Sequence, residues 1–383
     1  MNLTVREREI VALLRSDPLL DAAALAERLG STRAAISVHL SNLTRKGVVL
    51  GRGYLLRPEV DSVVVVGGAV LDTKLRTRCA PVLGTSNPGI ASATVGGVGR
   101  NIAENLARLG SPTVLVAAVG DDLAGETVVS RTAAAGVETR HLVVSPHPTG
   151  TYAAVLDDGG DLLVAVADMR ATDELTVADL GVVPTLLGGA ELLVIDCNLA
   201  ADVIRWLLAA AETAGVSAVL DPVSVAKATE ASPALDGGVR VHTVTPNVDE
   251  LAALVGQPVE DTADAVAGAA RLLHARGVER VWVRRGTRGS LLSVAVEGAD
   301  PRVVLIAAPD VDVADVTGAG DAMTAGYVHA VLGGADVLEA ARTGQVLAAL
   351  TCASSDTVRP DLTAALVAAH LTPTTPLTEE LSP

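Results

Sequence analysis

The chain has 383 residues, of which 49% are hydrophobic and 1% aromatic, and it contains no Phe. This length allows a large α/β domain beside a small one, with a core built from Ala, Val and Leu. Three cysteines without a C-x-x-C pair or a Cys/His spacing exclude a disulfide framework and a zinc site. No apolar run has transmembrane length and the charged start MNLTVREREI lacks a signal-peptide pattern, so we expect a cytoplasmic protein without a membrane partner.

The net charge of −16 is distributed unevenly along the chain. Residues 1–60 hold nine Lys and Arg against six Asp and Glu, whereas the remaining residues hold 20 against 39. An acidic body repels nucleic acid, so any nucleic-acid binding is expected in the N-terminal segment.

The first 58 residues predict a small helical domain. The apolar spacing of VREREIVALLRS indicates a first helix. Asp21 can cap and Gly30 can end a second helix over DAAALAERLG, and Ser31 can cap a third over STRAAISVHLSNLTRKG. The stretch VVLGRGYLL then indicates a hairpin that turns at residues 51–53.

Three helices with a short glycine-containing turn before the third, followed by a hairpin, resemble a winged helix-turn-helix module over residues 1–58. The resemblance implies that the third helix enters the major groove of DNA and that the hairpin forms the wing. A three-helix protein-interaction or dimerisation module with a solvated basic face is the alternative. The polar residues that would face DNA are Thr32, Arg33, Ser37, Asn42, Arg45 and Arg52.

From residue 61 onward, predicted strands alternate with Ala-rich helices. The β-branched and apolar runs DSVVVVGGAV, TVLVAAVG, ELLVIDCN, VSAVLDPV, VHTVTPN and RVWVRRG are typical of buried strands. Between them lie helical stretches such as NIAENLARLG and ADAVAGAARLLHARG. This alternation predicts a parallel sheet covered on both faces, with ligands at the C-terminal ends of the strands.

Two segments depart from the alternation. Two alternating stretches within residues 147–170 flank Asp157-Asp158-Gly159-Gly160, which predicts a hairpin that belongs to a small β lid on the main sheet. The Thr/Pro-rich residues 371–383 predict a disordered tail.

The glycine motif VGGVGRNIAENLARLG is the first of three motifs that can carry chemistry. Gly96, Gly97 and Gly99 permit close backbone approach, and Asn101 begins a helix. A glycine cluster before a helix N-terminus can hold a polar ligand through backbone N–H groups.

The second motif, VTPNVDE, places Asn247 and Glu250 three residues apart after a predicted strand. An amide and a carboxylate that face the same way suit a hydrated magnesium ion. A capped helix start explains the same two residues equally well.

The third motif, DVTGAGD, joins small residues to two carboxylates. Successive N–H groups of Gly318, Ala319 and Gly320 can form an anion-binding nest at a helix N-terminus. The carboxylate of Asp321 directly follows this nest, and its negative charge would weaken simple anion binding there. Its position is explained if Asp321 takes a proton from a hydroxyl while the nest holds the phosphoryl group that the hydroxyl attacks.

Together these motifs resemble the PfkB/ribokinase family of carbohydrate and nucleoside kinases over about residues 61–365. The resemblance implies a ribokinase-like three-layer α/β/α sandwich over residues 61–370, with lid strands within about 70–95 and 147–170. It also implies phosphoryl transfer from ATP to an alcohol group, and a homodimer.

The resemblance further assigns roles to individual residues. Asp321 is the catalytic base, and the anion hole is formed by Gly318, Ala319 and Gly320. The substrate-binding residues are Asp72, Gly96, Gly97, Arg100, Asn101 and Asp168. The ATP-binding residues are Asn247, Glu250, Arg284, Gly286, Gly289, Gly318 and Gly320. Asn247 and Glu250 also organise magnesium through water, and Asp315 and the Thr317 carbonyl lie at a site for a monovalent cation such as potassium that some members use.

The stretches GTSNPGIASATVGGVGRNIAENLARLG, LLVAVADM and DPVSVAKA resemble pseudouridine kinases. This implies the 5′-hydroxyl of a C-nucleoside as the phosphoryl acceptor. A kinase for another nucleoside or a free sugar, and a metabolite-sensing transcriptional regulator, are the alternatives. The chain also departs from the family, since Arg284 and Arg285 replace a common Thr-Leu pair, Val70 replaces a common Asn, and residues 354–356 replace a small-residue run.

Overall fold

The computed structural model describes residues 4–16, 20–46, 48–49, 62–371 and 378–381. The chain divides into two compact units, residues 1–61 and 62–383. Arg52 and the predicted hairpin turn at residues 51–53 lie outside the described residues, as does the side chain of Arg45.

The first unit surrounds a small apolar core with three helices among its described residues, α1 (Val5–Ser16), α2 (Ala22–Arg28) and α3 (Arg33–Arg45). Asp21 caps α2 as predicted, because its Oδ1 accepts the N–H groups of residues 23 and 24 at 3.0 and 2.8 Å. Gly30 turns the chain before α3 with a φ of 57°. The side chains that are fully buried in this core are Ile10, Leu14, Leu25, Ile36 and Leu43.

The cap of α3 differs from the prediction, since Thr32 and not Ser31 holds the first turn. Thr32 Oγ1 accepts the N–H of Ala35 at 3.2 Å from an extended backbone that an N-cap requires. Ser37 Oγ donates to the carbonyl of Arg33 at 2.9 Å. Both hydroxyls therefore already have partners within α3, whereas the Arg33 side chain is exposed.

The second unit is built from strands and helices that alternate along most of its length. Its strands are β1 (Ser62–Val66), β2 (Val70–Thr77), β3 (Gly89–Gly96), β4 (Thr113–Val116), β5 (Ala118–Gly120), β6 (Val143–Ser145), β7 (Gly150–Leu156), β8 (Leu162–Asp168), β9 (Ala190–Asp196), β10 (Ser217–Asp221), β11 (Val241–Val244), β12 (Val278–Arg284), β13 (Ser290–Val296), β14 (Ala299–Ile306) and β15 (Thr378–Leu381). Its α-helices are α4 (Val98–Arg108), α5 (Leu123–Ala134), α6 (Arg170–Asp173), α7 (Val183–Leu187), α8 (Ala201–Ala214), α9 (Val225–Ala231), α10 (Val248–Val255), α11 (Ala263–His274), α12 (Ala319–Leu332), α13 (Val337–Cys352) and α14 (Ala364–His370). Short 3₁₀ turns occupy Ser232–Leu235 and Gly286–Arg288.

Within the described residues of this unit, nine strands form the main sheet in the order β15-β14-β13-β12-β11-β10-β9-β1-β4. The strands from β4 to β12 in this order are parallel, and β13, β14 and β15 continue the sheet antiparallel. The predicted runs of valine, isoleucine and leucine are the parallel strands.

Alternate residues of the central strands enter two separate cores. Val63 and Val65 of β1 pack in the core that includes residues of α4, α12 and α13, whereas Val64 and Val66 pack in the core that includes residues of α8, α10 and α11. Side chains alternate between the faces of a strand, so both faces of the sheet are covered by helices. The predicted three-layer α/β/α fold is confirmed.

A separate four-stranded sheet among the described residues has the order β3-β2-β7-β8. Its strands lie within the two segments for which lid strands were predicted. The turn between β7 and β8 is closed by the N–H of Gly160, which donates to the carbonyl of Asp157 at 3.2 Å. No helix in the described part of the chain is long and apolar enough to cross a bilayer.

One described segment of the predicted disordered tail is a strand. Residues 378–381 form β15, which pairs antiparallel with β14 in the register Val303↔Leu381 to Ile306↔Thr378. Without β15, β14 would be an edge strand with a row of unpaired backbone groups, and such edges favour the addition of another strand.

Candidate active site

The polar residues of the motifs gather at the carboxyl ends of the parallel strands. Asp196 ends β9, Asp221 ends β10, Asn247 follows β11 and Arg284 ends β12. Open α/β sheets bind their ligands at this edge, which is where the sequence predicts the site.

Asp321 lies in the first turn of α12 and is 8% exposed. Its Oδ2 accepts a hydrogen bond from Asn101 Nδ2 at 2.8 Å, which joins two residues that are 220 positions apart in the sequence. Burial raises the pKa of Asp321 to about 8, and the negative charge of Asp221 adds to the rise, whereas the Asn101 hydrogen bond and Arg284 oppose it. A carboxyl group with this pKa can act as a proton acceptor near neutral pH.

Asn101 is in turn held by Arg100. Arg100 is 3% exposed, and its Nη1 donates to Asn101 Oδ1 at 3.1 Å while its Nη2 forms an ion pair with Glu104. Burial lowers the pKa of Arg100 to about 10. The structure therefore places Arg100 behind Asn101, with its donors already engaged, and not at an open surface where a substrate would meet it.

The glycine motif fits closely against the loop that follows β1. A Cβ on Gly97 would lie 2.5 Å from the carbonyl oxygen of Gly68, and Gly97 has a φ of 98°. The N–H groups of Gly68 and Gly99 donate to Asp196 Oδ2 at 2.8 and 2.6 Å. The glycines thus let α4 begin beside β1, and the Gly99 N–H is used by Asp196 and not by a ligand.

Asp72 lies in β2 opposite the end of β3, next to Gly96. A Cβ on Gly96 would collide with the Asp72 carboxylate, so the glycine leaves room for that group. Burial raises the pKa of Asp72, while Lys74 and Arg100 oppose the rise. The structure thereby brings Asp72 and Gly96 together, as the resemblance implied.

Gly318 is the N-cap of α12, with a φ of 81° that an L side chain rarely adopts. A Cβ there would also meet the backbone of Thr357. The first N–H groups of a helix have no acceptor within that helix. Here the Ala319 N–H donates to the Val316 carbonyl at 3.2 Å, and the N–H groups of Gly318 and Gly320 are the donors left at the N-terminus. This geometry can hold an anion beside Asp321.

Asn247 and Glu250 form a capping box at the start of α10. Asn247 Oδ1 accepts the N–H of Glu250, and Glu250 Oε2 accepts the N–H of Asn247, both at 2.8 Å. Glu250 Oε2 also accepts from Arg284 Nη2 at 3.1 Å. Burial raises the pKa of Glu250, and Arg284 opposes the rise. Of the two interpretations of this motif, the capped helix start is therefore present, and it leaves Oε1 of Glu250 for another partner.

Asp221 is a site residue that the sequence reasoning missed. It is 1% exposed, and its Oδ2 accepts from the hydroxyls of Thr324 at 2.8 Å and Thr245 at 3.1 Å. Its Oδ1 accepts the N–H of Val223, which has a φ of 68° and is the one non-glycine residue with positive φ in the described part of the chain. The Ser224 N–H donates to the Pro222 carbonyl at 2.7 Å and closes a γ-turn around Val223.

The turn at Val223 is strained, because a β-branched residue rarely adopts a positive φ. A residue held in such a conformation costs about 1–3 kcal/mol of stability. Strain of this kind is concentrated at functional sites. The DPVS stretch after β10 was visible in the sequence, but the hydroxyl partners of Asp221 come from α12 and from the loop after β11 and left no local signal.

A cavity of about 400 Å³ adjoins the glycine nest at Ala319 and Gly320. Arg284, Gly286, Gly289, Ala319 and Gly320 border it, and apolar side chains such as Val311, Val313, Met323 and Ala348 complete its wall. Its apolar wall suits the flat base of a nucleotide, and its polar end lies at the nest. The apolar residues after β14 and in α13 were not predicted as site residues, since they carry no motif.

Two further predicted site residues, Asp168 and Asp315, have hydrogen-bond partners two residues away in the sequence. Asp168 ends β8 and forms an ion pair with Arg170 at 2.6 Å, and hydrogen bonds from Arg170 lower its pKa to about 2. Asp315 Oδ1 accepts the N–H and the hydroxyl of Thr317 at 2.8 and 2.7 Å. These bonds lower the pKa of Asp315, so its carboxylate is ionised next to the Thr317 backbone.

The three-layer fold, the buried carboxyl at a helix N-terminus and the adjoining cavity define a kinase that phosphorylates an alcohol group of a small molecule. Residues 60–364 match the profile described as pfkB family carbohydrate kinase, and residues 3–49 match a winged helix-turn-helix DNA-binding profile. The chain therefore belongs to the pfkB family of carbohydrate kinases and carries an N-terminal winged helix-turn-helix domain.

Several relatives resemble the whole chain or its kinase unit. The uncharacterised sugar kinase YeiI of Escherichia coli (strain K12) is 33% identical over 94% of this chain and 96% of the relative. The pseudouridine kinase of the same organism is 34% identical over 81% of this chain and 96% of its own length. The solved structure of a carbohydrate kinase from Agrobacterium tumefaciens has a TM-score of 0.71 and 31% identity, and the match covers 84% of this chain and all of that one.

Proposed function

We propose that the protein transfers the γ-phosphoryl group of ATP to the 5′-hydroxyl of a ribonucleoside, with pseudouridine as the first candidate. The observation that carries the proposal is the position of Asp321, buried between Asn101 and the nest at the start of α12. The similarity to a pseudouridine kinase supports the nucleoside, and the similarity to a sugar kinase keeps a free sugar as the second candidate.

In the proposed reaction, Asp321 accepts the proton of the acceptor hydroxyl as its oxygen attacks the γ-phosphorus. Asn101 orients the Asp321 carboxylate through its amide, and Arg100 fixes that amide from behind. The N–H groups of Gly318 and Gly320 bind the phosphoryl oxygens as negative charge develops on them, and that of Ala319 joins them by exchanging the Val316 carbonyl for a phosphoryl oxygen. Asp72 binds acceptor hydroxyls beside Gly96, and Gly286 and Gly289 let ATP lie close to the backbone.

A divalent metal is implied by the family, and we propose magnesium. The carboxylate of Glu250 is a hard oxygen ligand, and it uses only its Oε2 for its bonds to Asn247 and Arg284. Mg²⁺ keeps several of its waters and is held by one or two carboxylates together with substrate phosphates, so Glu250 fits through its Oε1. The metal would neutralise phosphate charge, and Asn247 would hold Glu250 in place through the capping box.

The substrate assignment is tested with a panel of nucleosides and sugars in a coupled assay of ADP formation. Pseudouridine should give the largest kcat/KM, and ribose and uridine serve as matched comparisons that share its sugar. If a free sugar outranks every nucleoside, the enzyme is a sugar kinase of the same mechanism. If operator DNA binds in a ligand-dependent way and no acceptor yields ADP, the kinase unit is a metabolite sensor.

The pH dependence of the rate should follow the ionisation of Asp321. Its pKa is raised to about 8, and only the ionised form accepts a proton. With both substrates far below saturation, the rate should therefore rise about tenfold per pH unit below pH about 8 and level off above it. A rate that is independent of pH over this range contradicts the assignment of Asp321 as the base.

We also propose a monovalent-cation site at Asp315 and the Thr317 carbonyl, because the lowered pKa of Asp315 keeps its carboxylate ionised and its Oδ1 is held at the N–H and hydroxyl of Thr317. Replacing potassium chloride by tetramethylammonium chloride should then lower kcat. An unchanged kcat would rule the site out.

The N-terminal unit is proposed to bind DNA through α3. Its match to a winged helix-turn-helix profile and the basic balance of residues 1–60 support this role. Arg33 and Asn42 are available for contacts to DNA, while the hydroxyls of Thr32 and Ser37 already have partners in α3. Arg45 and Arg52 stay predictions of the sequence.

Replacing Arg33 with Ala should weaken DNA binding by about fivefold to tenfold, since Arg33 is exposed at the start of α3. If Arg33 contacts a phosphate, the slope of log K against log salt should also fall by about one. Arg271→Ala in α11 of the kinase unit is the matched control for charge. Equal DNA affinity of the Arg33 variant and the control would contradict the role of α3.

A further inference from the structure

Arg284 occupies a place that the proposed mechanism leaves unexplained. It ends β12, and its side chain is 16% exposed. Nη1 lies 3.4 Å from Asp221 Oδ2, and Nη2 lies 3.1 Å from Glu250 Oε2. The two acids come from β10 and α10, so the guanidinium is clamped between separate elements at the carboxyl edge of the sheet.

The same guanidinium faces the glycine nest. A Cβ on Gly320 would collide with Arg284 Nη1, so the guanidinium packs directly against the backbone of the nest at this glycine. Arg284 and Gly320 also border the same end of the cavity proposed for ATP. A phosphoryl group bound to the nest from the cavity side would therefore contact the guanidinium.

We propose that Arg284 is a further catalytic residue, which binds the transferred phosphoryl group from the β12 side while the nest binds it from α12. The inference rests on the kinase function proposed above. The acceptor oxygen bonds to the γ-phosphorus as the bond to the β-phosphate oxygen breaks, the acceptor proton goes to Asp321, and ADP leaves. Arg284 adds no covalent step, and it donates hydrogen bonds to the γ-oxygens throughout the transfer.

Arginine is suited to this task because its planar donors match phosphate oxygens in pairs. Asp221 and Glu250 hold the donors in position before ATP arrives, and such preorganisation makes a charge effective in a buried site. Asp221 is itself fixed by Thr245, Thr324 and the strained turn at Val223. The positive charge of Arg284 also opposes the rise in the pKa of Asp321, and so favours the ionised base.

The inference is tested by nucleotide binding to the full-length protein, measured calorimetrically with ADP and with the non-hydrolysable ATP analogue AMP-PNP at fixed magnesium. Arg284→Gln should weaken AMP-PNP binding about tenfold to a hundredfold and leave ADP binding within about threefold, because ADP lacks the γ-phosphoryl group. Arg285→Gln is the matched control: this neighbouring arginine is paired with Asp261 at 2.6 Å and should leave both affinities unchanged. Equal losses for ADP and AMP-PNP, or no loss for either, would overturn the role of Arg284.

Arg284→Lys keeps the charge between Asp221 and Glu250, so it provides the test if the glutamine variant fails to fold. It should bind ADP as the wild type does and AMP-PNP with intermediate affinity, because lysine lacks the planar pair of donors. With an accepted substrate, kcat should fall about 10²-fold to 10³-fold in Arg284→Gln and less in Arg284→Lys. A wild type that phosphorylates none of the panel would refute the proposed function, whereas the binding comparison would still decide the contact of Arg284 with the γ-phosphoryl group.

Discussion

Replacing Asp321 with Asn should reduce kcat by at least about 10³-fold, because the amide cannot accept the proton of the acceptor hydroxyl. Binding should persist, since the amide has the shape of the carboxyl and can accept the hydrogen bond that Asn101 Nδ2 donates at 2.8 Å. Affinities for ATP and the nucleoside, measured calorimetrically, should stay within about threefold of the wild type. Near-wild-type turnover in this variant would remove Asp321 from the mechanism.

The same substitution should leave the protein at least as stable as the wild type. Burial and the charge of Asp221 both disfavour the ionised form of Asp321, as its pKa of about 8 indicates. The neutral amide of Asn has no charged form for burial and Asp221 to disfavour, so the free energy of unfolding should not fall. Functional residues often cost a protein stability, and their replacement then restores it. Asp202→Asn, an exposed residue in the first turn of α8, is the control and should change neither turnover nor the melting temperature. A melting temperature that falls together with activity would instead indicate a structural role for Asp321.

The elements that could be predicted from the sequence are those with local signals. Continuous β-branched runs marked the strands of the parallel sheet, and the Asp157–Gly160 turn marked the lid hairpin. The nest and its carboxylate are consecutive in the chain, so the sequence predicts that Asp321 lies beside Gly318–Gly320. The cap at Thr32 was missed because both Ser31 and Thr32 are good caps, and only the backbone conformation decides between them.

The residues that could not be predicted have partners far away in the sequence. Asp221 contacts Thr324, which is 103 residues away, and Asp196 contacts Gly68, which is 128 residues away. No spacing within a single element shows such contacts, because the fold brings the strand ends together. Arg284 was assigned to ATP by its position before Gly286, but its two acidic partners and its approach to Gly320 emerge only in three dimensions.

Asp196 illustrates how the fold holds the catalytic residues, and its removal should have the largest effect on stability. The residue is fully buried, its Oδ2 accepts the N–H groups of Gly68 and Gly99, and its Oδ1 accepts that of Asn198 at 3.0 Å. Burial raises its pKa, while these three hydrogen bonds oppose the rise. In Asp196→Ala the three donors lose their acceptor, and each buried unsatisfied donor costs about 1–3 kcal/mol. We therefore expect the free energy of unfolding to fall by about 3 kcal/mol or more.

Both tryptophans, Trp206 and Trp282, lie in the kinase unit, so urea unfolding followed by their fluorescence reports on that unit.

The free energy of unfolding should fall less in Asp196→Asn than in Asp196→Ala, because the side-chain carbonyl oxygen of Asn can still accept the N–H groups of Gly68 and Gly99. Since the Gly99 bond fixes the start of α4, we also expect both variants to lose turnover through displacement of Asn101, even where they remain folded. A free energy of unfolding within about 1 kcal/mol of the wild type for Asp196→Ala would mean that a water in the vacated space accepts from these donors, and it would contradict the structural role of Asp196.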